Sequence, residues 1–287
     1  MLVMAPFGLF LSVFVLISLV DLYGTVAVLT SIRRCWAPDV FLYGIAHRFV
    51  KLTLQLVARY ESWVSALIPG EAALAGSSAA LDLCALLLVD VQLVCSSVQS
   101  LCASSFAPQL PPAFVESEQG QQLLASLDGR LAPLVPRLVR ALADQMLSPA
   151  LAAVQQVKSI SGQYRMTNRE APSAPSAYVA AMFASAVAFL AAGGKRVPPS
   201  VMVQITDEVA ATVALQYGQL IAELLVTVKR TEDSLQKLLR TKKKANPSAV
   251  ARTADGLSDE DKIRLQLLLD QEQFEVEVRT NKTAVSV

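Results

Sequence analysis

Apolar residues Phe41, Ile45, Phe49, Leu52, Leu56 and Trp63 recur close to helical spacing, and the run stops at Pro69 and Gly70. Pro38 and Asp39 suit the first turn of that helix. Between Ala72 and Ser105 the chain is apolar on nearly every side of a helical wheel, through Leu83, Leu86, Leu87, Leu88, Val89, Val91, Leu93 and Val94. Such a helix has to be buried on most of its surface. A linker with Pro108, Pro111 and Pro112 follows, then a helical region from about Glu116. There Pro133, Pro136 and Pro149 each remove a backbone donor and predict short pieces. Pro172 and Pro175 mark the next boundary, before a small-residue helix over Ser176–Ala192. The Gly193–Arg196 turn ends it, and Pro198 and Pro199 open the next helix.

The longest predicted helix covers Ser200–Lys244. Tyr217, Ile221, Leu224, Val228, Leu235 and Leu238 fall on four-three spacing, with Thr231 out of pattern. A partner helix and the chain's own bundle are both compatible with that seam, and the intramolecular reading is preferred. Lys242, Lys243 and Lys244 place cations at the negative end of the dipole, ahead of Asn246 and Pro247. Ser258 followed by Asp261 is a variant capping box for a last helix through Ile263, Leu267 and Phe274. The result is about seven helical segments and an all-α fold.

Composition agrees: 287 residues, 53% hydrophobic and 6% aromatic, are enough for a sizeable core of packed helices. A net charge of +1 supplies no field toward nucleic acid. Cys35, Cys84, Cys95 and Cys102 form no CxxC pair, so thiols in a reducing cytosol are preferred over disulfides. The uncharged stretch Leu2–Val20 is about as long as the ~20 residues a membrane span needs. A secretory signal usually begins with positive charge, and none precedes Arg33. If the stretch inserts, Arg33 and Arg34 favour a cytoplasmic side after it. A buried helix or a misplaced gene start would look the same. Residues 1–32 are therefore expected to be an apolar helix, anchor or artefact. Residues 33–287 are expected to be one helical domain with linkers near 106–116 and 245–257.

Reacting groups are scarce. His47, the single histidine, sits beside Arg48 without an HExxH or GxSxG partner, and is expected to be a hydrogen-bonded, partly buried residue. Gly193, Gly194 and Lys195 lack the Walker spacing and suit a helix-ending turn. Asp259, Glu260 and Asp261 suit a helix N-terminus. Lys242–Lys244 is shorter than the ~4–8 cations of a lipid-binding cluster. Asn281, Lys282 and Thr283 match the glycosylation sequon, which matters only in a lumenal chain. No catalytic residue, cofactor or metal is expected.

Five stretches resemble, in order, the C-terminal portion of one family, the second subunit of the conserved oligomeric Golgi complex. They are CWAPDVFL (Cys35–Leu42), HRFVKLTLQLVARY (His47–Tyr60), YRMTNREAPSAPSAYV (Tyr164–Val179), VKRTEDSLQKLL (Val228–Leu239) and LSDEDKIRLQLLLD (Leu257–Asp270). The stretches 77–156 and 183–216 match it only in character. The resemblance implies an elongated multi-helix bundle of the tethering-complex rod type, without catalysis or cofactor. It implies a peripheral protein on the cytoplasmic face of the Golgi membrane, acting in retrograde intra-Golgi transport and Golgi organisation. Sister subunits, SNAREs, Rab GTPases and coiled-coil tethers are the implied partners. Candidate contact residues are Arg48, Phe49, Arg59 and Trp63, with Arg165, Asn168 and Arg169. Core packing would explain Phe49 and Trp63 equally well, and helix capping Arg165 and Arg169. The family's coiled-coil half has no counterpart before Arg33, and FEVEVRTNKTAVSV after Gln271 departs from the family. Two rivals stand beside this reading. A single-span membrane protein with a cytosolic helical domain rests on Leu2–Val20. An enzyme or small-molecule carrier requires a polar pocket around His47.

Overall fold

The computed structural model describes residues 24–68, 77–165, 167, 169–192, 194–243 and 257–286, and every regular element among them is helical. The chain divides into two compact units, Met1–Asp144 with Gly193–Pro198, and Gln145–Ala192 with Pro199–Val287. Leu2–Val20, Asn168, Lys244 and most of 245–257 lie outside the described residues.

In the first unit, helix α1 (24–35) leads into a folded turn and a 3-10 turn, Tyr43–Ile45, before α2 (Ala46–Leu67). The helix thus starts at Ala46, not at Pro38. Trp36 stacks on Phe41 at 5.1 Å and Phe41 leans on Phe49 at 5.2 Å, while the Val40 and Phe41 N–H groups both donate to Ala37 O. Residues 36–45 are held as a knot by this aromatic contact. The buried stripe of α2 is Ala46, Val50, Thr53, Val57, Tyr60 and Val64. It is rotated from the stripe of bulky residues read off the sequence: Leu52 is 40% exposed, and Phe49 and Trp63 are half-buried. Tyr60 apart, narrow residues form the seam, with Phe49 and Trp63 on its flanks, which permits closer helix packing.

Helix α3 (Ser78–Leu101) opens on Ser77, whose Oγ accepts from Ala80 N–H at 3.2 Å, about five residues later than the spacing suggested. Its burial on most sides is as expected, with Leu87, Leu88, Val91 and Val94 all inaccessible. By length and composition Ser78–Gln109 would pass as a membrane span. A π-helical turn, Cys102–Phe106, then carries the chain into the short helices α4 (Ala107–Gln109) and α5 (Pro112–Glu116). The turn brings the fully buried Phe106 onto Trp36, centroids 4.1 Å apart. Helix α6 (Glu118–Gly129) is capped by Ser117, which accepts from Gly120 N–H at 3.0 Å. A Cβ on Gly120 would lie 1.9 Å from Phe114 O, so only glycine fits.

One buried carboxyl interrupts α3. Asp90 is 5% exposed and accepts from Thr25 Oγ1 of α1 at 3.3 Å. Burial pushes its carboxyl above the ordinary range, with the Thr25 bond pulling the other way. The native state therefore keeps this proton to a higher pH than the unfolded chain does. Its contribution to stability is complete below the ordinary carboxylate pKa and is lost as pH rises through the raised value. Asp90→Asn is accordingly expected to gain stability relative to the native sequence on going from acidic to neutral pH. Urea denaturation at both pH values checks this; a constant difference would contradict it.

Helix α7 (Leu134–Val154) runs unbroken through Pro149, contrary to the expectation of short pieces. Pro136 falls in its first turn, where an N–H would be unsatisfied anyway. The units divide inside this helix, between Asp144 and Gln145.

The second unit continues through a 3-10 turn, Gln155–Ser159, to α8 (Ile160–Tyr164), α9 (Ala177–Ala192), α10 (Pro199–Lys243) and α11 (Asp259–Ser286). Pro199 opens α10 as its spacing predicts, and α11 packs along both α9 and α10. Within the heptad-like seam, Tyr217, Leu224 and Val228 are buried in the chain itself. Lys242 and Lys243 close α10, but their side chains are outside the described set. Ser258 opens α11 as a capping box: its Oγ accepts from Asp261 N–H at 3.1 Å and donates to Asp261 Oδ2 at 2.8 Å. The helix continues well past Gln271. Phe274 is buried against Tyr217 and Phe183, at 5.1 and 5.5 Å. Asn281 is 8% exposed and donates to Glu277 O at 2.8 Å, so the sequon asparagine is a packed helix residue.

Candidate functional site

The described residues between α8 and α9 form no regular structure, and Pro172 and Pro175 deny the segment two donors. A strap of this kind must have its polar groups met by side chains. Helix α11 supplies them from Lys262, Gln266 and Asp270, which recur every four residues and so share one face. Lys262 Nζ donates to Arg169 O at 2.6 Å. Gln266 Nε2 donates to Ala174 O at 3.1 Å and to Asp270 Oδ1 at 2.8 Å, while Gln266 Oε1 accepts from Tyr164 Oη at 2.7 Å.

Asp270 is the hub. It is wholly inaccessible, yet Oδ1 also accepts from Ser176 N–H at 2.6 Å, and Oδ2 accepts from Ser176 Oγ at 2.9 Å and Tyr178 Oη at 2.6 Å. Four donors compensate the buried carboxylate, and its position at the start of α9 adds the positive end of that helix dipole. Burial, then the bond to Asp270, push the Tyr178 phenol far up. Burial pushes Tyr217 up to about 12 and raises Tyr164 too. These phenols stay protonated as donors. With the Tyr178 proton committed to Asp270, the Tyr217 hydroxyl, 3.4 Å away, is the donor to Tyr178. The arrangement holds a fixed strap rather than moving protons or binding a reactant, since the carboxylate is enclosed and every donor around it is engaged.

The residues proposed from sequence fall around two different features. Arg48 and Arg59 are exposed on α2, Phe49 belongs to the Trp36 cluster, and Trp63 packs on Tyr60 at 5.9 Å. Arg165 ends α8, its N–H donating to Ser161 O, and the exposed Arg169 lends its carbonyl to Lys262. His47 is exposed on the first turn of α2, which removes the support for a carrier or enzyme pocket around it. Among the described residues no group of three or more His, Cys, Asp or Glu is arranged for a metal. All four cysteines are thiols, and burial pushes Cys84 up to about 12. The latch residues Ser176, Tyr178, Lys262, Gln266 and Asp270 were not among the sequence candidates. Their only local signal was the four-residue recurrence of Lys, Gln and Asp on α11.

The strap and the α11 face that grips it are two of the stretches on which the family resemblance rested. A comparison with protein families matches residues 18–271 to the family described as COG complex component, COG2, C-terminal. The chain belongs to this family. Every latch residue of this COG2 C-terminal domain lies inside the matched span, which begins upstream of Cys35 and ends one residue past Asp270. The chain is 28% identical over 257 residues to conserved oligomeric Golgi complex subunit 2 of Drosophila melanogaster, covering 84% of the chain and 34% of that relative. It is 26% identical over 267 residues to the Arabidopsis thaliana subunit 2, covering 86% and 34%. Against the Homo sapiens subunit 2 it is 23% identical over 278 residues, covering 85% and 38%. The chain thus spans about a third of the length of the curated relatives it matches. No solved structure matches it.

Proposed function

We propose that this chain serves as the C-terminal helical part of a non-enzymatic Golgi tethering subunit. It would assemble with sister subunits of an oligomeric complex and act peripherally on the cytoplasmic face of the Golgi membrane in retrograde intra-Golgi transport. The observation that carries this reading is the family match over residues 18–271. The architecture is compatible with it: the buried polar groups of the second unit are engaged in holding the strap, and long helix faces are left for contact. One such face is an open groove of about 520 Å³ between α10 and α11, floored by Ala210, Ala214, Phe274 and Val278. SNAREs, Rab GTPases and coiled-coil tethers are the partners such helix faces would engage. The membrane-anchor rival rests on Leu2–Val20, outside the described residues, and no observation favours it.

Affinity capture from cells tests the proposal. With the chain carried in its full-length context, the other subunits of the complex are expected to be recovered in near-stoichiometric amounts. Their absence, with the bait soluble and folded, would overturn it.

A further inference from the structure

The first unit carries a surface that its packing does not explain. Leu42 and Tyr43 are 61% and 58% exposed at the turn before α2, with Val40 beside them, although nearby Trp36 and Phe106 are buried. The turn is preformed, because Phe41 is clamped between Trp36 and Phe49. Cations flank it from both helices, Arg33 and Arg34 at the end of α1 and Arg48 and Lys51 on the first turns of α2. All four are exposed and form no ion pair among the described residues. Asp39 is the single acidic residue between positions 24 and 60, and the next, Glu61, is held by Arg130 at 2.6 Å.

We propose that the Val40–Tyr43 turn and the four cations around it form a docking surface for an anionic lipid bilayer. Charge complementarity selects the occupant: four unpaired cations, against Asp39 as the single acid of the 24–60 stretch that carries them, match a layer of phosphate and carboxylate headgroups. The form of the apolar part selects it as well. Its side chains project from a turn, as wedges into a headgroup layer do, and a tyrosine places an apolar ring and a polar hydroxyl across that boundary. An acidic partner helix would instead call for a groove lined with apolar side chains. This inference stands on the exposed residues of the first unit and is independent of the tethering reading.

Cosedimentation of the full chain with vesicles tests it, comparing phosphatidylcholine alone with phosphatidylcholine plus phosphatidylserine. Binding is expected to require phosphatidylserine and to weaken as salt is raised. The pair Arg48→Glu with Lys51→Glu is expected to lower partitioning by at least roughly twentyfold, since each cation near such a surface contributes on the order of fivefold. Leu42→Ser with Tyr43→Ser is expected to lower it several-fold without changing the thermal melt. Lys229→Glu with Arg230→Glu, the same charge change at exposed positions of α10, is expected to leave it unchanged. Equal binding to both vesicle types, equal loss from both charge-reversal pairs, or binding of an acidic helical peptide in place of vesicles would each overturn the proposal.

Discussion

Asp270→Ala is expected to destabilise the chain by about 3–5 kcal/mol, the cost of leaving several neutral donors without their shared buried acceptor. The substitution strips the acceptor from the Ser176 N–H, the Ser176 and Tyr178 hydroxyls and the Gln266 amide, of which the Tyr178 and Gln266 groups are buried and the Ser176 groups part-buried. Each buried donor left unmet costs about 1–3 kcal/mol, partly offset because the strap can relax toward solvent. Asp270→Asn retains one carbonyl oxygen and the shape of the side chain, so about half the loss is expected. Chemical denaturation followed by circular dichroism gives the magnitude, and hydrogen exchange gives the location: amides at the start of α9 and along α11 should open first. A loss below about 1 kcal/mol would mean that the network does not fasten the strap.

Trp36→Ala is the second large effect, expected at about 4–5 kcal/mol. Trp36 is 3% exposed and touches Phe41, Phe49 and Phe106, with its indole Nε1 donating to Thr53 Oγ1 at 2.9 Å. Removing it leaves a cavity at the junction of the turn, α2 and the π-helical turn, and an unused acceptor on Thr53. Trp36→Phe keeps most ring contact and loses the hydrogen bond, so about 1 kcal/mol is expected. Here exchange should quicken in α2 and leave α11 unchanged. Since Trp36 and Asp270 belong to different units and share no partner, the double variant should sum the single losses to within about 0.5 kcal/mol.

What the sequence made legible follows the range of the forces involved. Breakers and caps are local, so the Pro199 start of α10, the Ser258 capping box and the small-residue helix α9 were readable from spacing. Proline inside α7 misled, because a long helix packed by its neighbours can absorb a missing donor that a short one cannot. The core face of α2 misled for a related reason: periodicity gives the stripe's pitch, whereas its phase is set by neighbours distant in sequence. Thus Val50, Val57 and Val64 were buried in preference to Leu52. The latch was invisible for the same reason. Asp270 and Ser176 are 94 residues apart, and nothing around either position announces that a carboxylate, an amide and two phenols will be enclosed together. Family resemblance marked both stretches without saying why they belong together, and the hydrogen bonds supply a reason: one grips the other.

The most direct measurement is assembly of a chimera. Residues 18–271 would replace the matching third of the Drosophila subunit 2, and the purified complex would be run on size exclusion. The chimera is expected to elute with the other subunits, and one also carrying Asp270→Ala to fall away from them as its strap comes loose. A chimera that is folded, by circular dichroism and exchange, yet elutes alone would contradict the assignment of this helical domain to the tethering complex.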